Sequence, residues 1–111
     1  MSENKIEYFG DDLETALGIP TAYYKFDSPV GLPYATYMFG GDDGLHSDDV
    51  NYIKHEKIIV ELYFKDKNFE LEKRLTDFFI DNELAYSSSA DQYIDEDDMF
   101  AKIYETGMFY Q

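Results

Sequence analysis

Apolar residues recur along the chain with two different periods, and the switch between them divides it into elements. The clearest two-residue period runs through a strand predicted over Tyr52 to Lys65. Ile58, Val60, Leu62 and Phe64 alternate onto one face, the expected core face, and Lys57, Ile59, Glu61 and Tyr63 onto a half-polar one. The period then lengthens. From Phe69 to Asp81, Leu71, Leu75, Phe78 and Phe79 fall at i, i+4, i+7 and i+8, the stripe of an amphipathic helix lying across a sheet. Asn68 stands where an N-cap belongs, Glu70 and Glu72 suit the first turn, Glu70 is one turn from Arg74, and Asn82 is the expected stop.

Weaker patterns fill the rest. Leu13, Ala16 and Leu17 predict a short first helix capped by Asp11 or Asp12, with Gly18 at its C-terminus and Pro20 preventing its continuation. Ala22 to Phe26 is β-branched and aromatic and predicts a strand. Ser28 to Pro33 reads as a Pro- and Gly-marked turn, and Tyr34 to Phe39 as a second strand. Glu83 to Ser87 predicts a short strand before a Ser-rich bend. Residues 99–106 form the last strand, which Gly107 is expected to break, leaving a short apolar tail. The order α-β-β-β-α-β-β predicts a single α+β domain over residues 1–111. Four to five largely antiparallel strands would pack on two helices, with 1–9 and 107–111 as flexible termini.

Between the second and third strands lies Gly40 to Asn51, acidic and Gly-rich. It exceeds the roughly 2–5 residues of a plain hairpin connection. A long polar loop on a rigid sheet is where binding contacts tend to sit. Tyr37, Phe39, Asp42, Asp43, Leu45, His46, Asp48, Asp49 and Tyr52 are therefore the candidate assembly surface.

Charge sharpens this picture. The net charge is −15, from 24 acids against 9 bases, and it is unevenly spread. Tyr52 to Leu75 is near balance, whereas the central loop and the run Asp91, Asp95, Glu96, Asp97, Asp98 hold acids with no base among them. A phosphate-binding role is disfavoured, because neutralising phosphates takes clustered Lys and Arg. Specific nucleic-acid binding is not expected. With no cysteine, disulfides and thiolate metal sites are excluded. No signal peptide is visible and no apolar run approaches the ~20 residues of a membrane span, so a soluble cytoplasmic protein with no membrane partner is expected.

Candidate chemistry is sparse. The loop aspartates come as adjacent pairs, not at the alternate positions of a calcium loop, and no closing Glu follows. His46 and His55 are too far apart for a short metal-ligand spacing. Ser87, Ser88 and Ser89 lack a nucleophile elbow, and no phosphate-cradling glycine loop exists. We expect no enzyme activity, no metal and no cofactor. The 11 tyrosines instead favour a protein surface, since tyrosine offers large rigid area with a polar tip.

Several segments in succession resemble a group of small proteins from tailed phages and prophages of Gram-positive bacteria. They are Gly18 to Phe26 (GIPTAYYKF), Leu32 to Tyr37 (LPYATY), the Gly41 to Tyr52 loop, and Glu61 to Leu75 (ELYFKDKNFELEKRL). Ala85-Tyr86 and Asp95 to Tyr104 match the strands that follow the family's helix. The loop departs from the family form, with Asp42 and Asp43 where amides are usual. The resemblance is to tail terminator, or tail completion, proteins that join head and tail. It implies a non-enzymatic virion protein forming a ring, commonly a hexamer, whose partners are its own copies, the tail-tube protein and the head–tail connector. Its location would be the virion tail, and the host cytoplasm during assembly. DNA would pass through the ring, and an acidic lumen would repel the duplex. The alternative from a different class is a small acidic phage-encoded inhibitor, a DNA mimic blocking a host nucleic-acid-binding protein.

Overall fold

The computed structural model describes residues 6–42 and 54–110. A 3₁₀ turn, Ile6–Tyr8, leads into helix α1, Phe9–Leu17. Strands β1 (Thr21–Tyr23), β2 (Tyr34–Asp42) and β3 (Lys54–Phe64) follow, then helix α2, Phe69–Asp81. Strands β4 (Tyr86–Ser88), β5 (Gln92–Ile94) and β6 (Met99–Tyr110) complete the order. The architecture is the α+β class expected from the pattern: one sheet, two helices on one of its faces. The six strands run β1-β2-β3-β6, with β4 and β5 both on the outer edge of β6. Among the described strands only β1, parallel to β2, departs from antiparallel pairing.

The main helix forms over the predicted residues. Asn68 accepts the Leu71 N–H at 3.0 Å, satisfying one of the amides that a helix start leaves unpaired. Asn68→Ala should therefore cost about 1 kcal/mol in chemical denaturation. Leu71, Leu75, Phe78 and Phe79 are buried against Ile58, Val60, Leu62 and Phe64, so both predicted faces meet as one core. Phe9, Leu13 and Leu17 of α1 join them. Arg74 binds the helices together: its guanidinium donates to the Leu17 carbonyl (3.0 Å) and to Glu70 (3.0 Å). Gly18 closes α1 in the left-handed region, φ +70°, donating to the Glu14 carbonyl.

Four expectations require correction. Helix α1 starts at Phe9, whose ring is fully buried against Tyr37 and Phe78. Burial of that ring sets the helix start, so Asp11 and Asp12 sit in the first turn instead of capping it, and the packed part of the domain reaches into 1–9. Strand β1 stops at Tyr23 because Tyr24 takes φ +67° and Lys25 N–H folds back on the Tyr23 carbonyl. The sheet has six strands, since Gln92–Ile94 inside the acidic run pairs with β6. Gly107 does not end the last strand, and residues 107–110 are paired: β6 stays in register with β3 to Tyr110. A Cβ on Gly107 would lie 2.4 Å from the His55 ring, so the glycine makes room for that imidazole.

Candidate functional site

Register sorts the strand residues onto two faces. Ala35, Tyr37 and Phe39 align with Leu62, Val60 and Ile58, and Tyr104 and Thr106 with Val60 and Ile58, all toward the helices. The opposite face carries Tyr34, Thr36 and Met38 from β2, the odd-numbered residues of β3 from His55 to Tyr63, and Met99, Ala101, Ile103, Glu105 and Phe109 from β6. Neither helix covers this side, yet its centre is apolar: Met38, Ile59 and Ile103 are only partly buried.

Its electrostatics are the more telling property. Among the described residues, the charged side chains on this face are Lys57, Glu61 and Glu105. Lys57 pairs with Glu105 at 3.6 Å. The Glu61 carboxylate accepts from the Tyr63 hydroxyl (2.5 Å) and from Thr36 (3.3 Å). Burial, then the bond to Glu61, pushes the Tyr63 phenol well above its ordinary pKa, so it stays a donor across any ordinary pH. In a protein of net charge −15, the described residues thus leave this face close to neutral.

The face has a distinct feature at each end. Near β6's start, Tyr34 stacks on Tyr63 with ring centroids 4.9 Å apart, and Phe26 meets Tyr34 edge-on at 5.3 Å. At the far end Phe109, exposed, lies 4.4 Å from the His55 ring in the space Gly107 leaves.

Of the predicted assembly residues, Tyr37, Phe39 and Asp42 are among those the structure describes. Tyr37 and Phe39 face the helices, with Tyr37 packed on Phe9 (5.6 Å) and Tyr23 (5.2 Å), and Phe39 on Tyr23 (5.5 Å). Asp42 ends β2, beyond a bulge at Gly40. Asp43, Leu45, His46, Asp48, Asp49 and Tyr52 lie outside the described residues. Pattern reading missed this site because part of it comes from β6, whose two faces cannot be told apart before its register with β3 is known. The apolar spacing of Met99, Ala101 and Ile103 was the available signal.

The second acidic run is not without bases. Asp91 pairs with Lys67 at 3.0 Å and Asp98 with Lys65, while the Tyr93 hydroxyl donates to Asp98 at 2.6 Å. Those bonds hold the Asp98 carboxyl below the usual range. The lysines follow β3 in sequence, so only the tertiary fold supplies them. Asp95, Glu96 and Asp97 form an exposed 3₁₀ turn. Among the described residues no group of acids, histidines or cysteines is arranged to hold a metal ion. No described helix is long and apolar enough to cross a membrane.

No protein-family model matches the sequence, and the curated proteins give no match to it.

Proposed function

We propose that this chain is a non-enzymatic structural protein of a tailed phage. It would act as a tail terminator, tail completion or head–tail joining component by assembling into a ring at the tail end. The observation that carries the proposal is the uncovered, near-neutral sheet face. Two copies of so acidic a protein repel wherever their charged surfaces meet, over roughly a Debye length of 8 Å at physiological salt. Docking through Met38, Ile59 and Ile103 removes apolar area from water, and a near-neutral face adds fewer like charges to the contact than an acidic one would.

Symmetry constrains how that face is used. Two identical faces meeting each other form a closed pair and stop at a dimer; a ring needs each face to dock on a different surface of the next copy. The resemblance to tail-joining proteins selects the ring. Its ends would meet the tail-tube protein and the head connector.

A complementation assay for virion assembly tests the proposal. A phage carrying Ile59→Lys should give separate heads and tails, while one carrying the exposed change Phe69→Ala joins them normally. Joined virions in normal yield from Ile59→Lys would refute it. Deleting 43–50 is the parallel test for the central loop, because loop shortening costs the fold little.

A further inference from the structure

At the corner of the uncovered face, the turn at residues 24–30 and the start of β6 bound a cleft of about 520 Å³. This lies in the size range of sites for compact ligands or side chains, roughly 300–1,000 Å³. Much of its lining is aromatic and apolar: Phe26, Tyr34 and Tyr63, with Ile94 and Met99. Asp27 and Asp97 line it, and Asp97 is close enough to Tyr34 to help burial raise that phenol's pKa. Two of the lining residues, Thr36 and Tyr63, both donate to the Glu61 carboxylate on the same face. Lys25 is the one base among the lining residues.

Aromatic rings beside carboxylates select a particular guest. An anion would meet two aspartates, with the Glu61 carboxylate bonded to two of the lining side chains. A purely apolar group would strand those acids against it. An ammonium is compact and strongly hydrated, whereas a guanidinium is planar, weakly hydrated, stacks on aromatic rings and forks onto carboxylates. We propose that this cleft binds an arginine side chain, presented between apolar residues by a segment of a partner protein.

The donor is not another copy of this chain. Its only arginine is Arg74, which is engaged with the Leu17 carbonyl and Glu70 on the helix side of the sheet. The inference thus goes beyond self-assembly and stands without it.

Calorimetric titration of the full chain with a blocked Leu-Arg-Leu peptide, and with its Leu-Gln-Leu counterpart, tests the proposal. The arginine peptide should bind, and the glutamine peptide should bind at least about tenfold more weakly, a single charged contact's worth. Asp97→Asn, at an exposed position that leaves the fold undisturbed, should weaken the arginine peptide several-fold. Asp11→Asn, an equal change of net charge on α1, should not. Chemical shifts in the titrated protein should move at Tyr34, Tyr63 and Met99. Absence of binding would overturn the proposal, as would equal affinity for the two peptides. Equal weakening by Asp97→Asn and Asp11→Asn would overturn it too, because it marks diffuse attraction to a negative protein.

Discussion

Truncating Phe79 to alanine should destabilise the domain by about 3–5 kcal/mol, the range for removing a large buried ring. The side chain is wholly buried where α2 crosses the sheet, with Tyr86 at 5.0 Å, Phe78 at 6.0 Å and Tyr104 at 6.0 Å. Removing it opens a cavity bounded by three other rings, none of which can collapse without leaving its own neighbours. A domain of this size has roughly 5–15 kcal/mol of stability in all, so the loss is a large share of it. Urea denaturation checks it, with Phe69→Ala as control. That ring begins the same helix but is 75% exposed, and its removal should stay within about 0.5 kcal/mol. A Phe79→Ala midpoint close to the wild type would mean that α2 does not lie on the sheet.

The second large effect concerns association without folding. Ile59→Lys should leave the denaturation midpoint within about 1 kcal/mol of wild type, the span of strand propensities. Self-association should weaken by at least about tenfold, the loss expected on burying an unpaired ammonium in an apolar contact. Two features separate these outcomes. Ile59 faces away from both helices, so no core contact is lost. The substitution also makes the net charge less negative, so weaker association cannot be blamed on greater overall repulsion. If Ile59→Lys unfolds the protein, the face is part of a core; if association is unchanged, the face is not the contact.

Much of the fold was legible because local and tertiary preferences agree in its centre. In β3 and α2 the period, the Asn68 cap and the acidic first turn all point one way, and the elements form where the pattern places them. Legibility failed where distant partners decide. Phe9 is pulled inward by Tyr37 and Phe78, neither near it in sequence, so the helix start moves off the aspartates. Gly107 looks like a breaker until His55 is found against it. The run from Asp91 to Asp98 looks like an unpaired acidic bend until Lys65 and Lys67 arrive from beyond β3.

The candidate site shows the same division. That Ile59, Glu61 and Tyr63 share a second face was readable from β3 alone. That Met38 and Ile103 complete an apolar patch there, and that Tyr34 stacks on Tyr63, depends on two strand registers that no local pattern specifies. Tyr37 and Phe39 illustrate the converse. As aromatics beside a loop they suggest a surface, yet their register turns both toward the helices.

Self-association through the uncovered sheet face is the central claim, and sedimentation velocity across protein concentration tests it most directly. It should be run at low salt and at about 1 M salt, where the screening length falls to roughly 3 Å. The account predicts a 13.0 kDa monomer at low salt and one closed species larger than a dimer at high salt, with Ile59→Lys monomeric in both. A wild-type protein that stays monomeric or stops at a dimer under all conditions, or an Ile59→Lys variant that assembles as the wild type does, would contradict it.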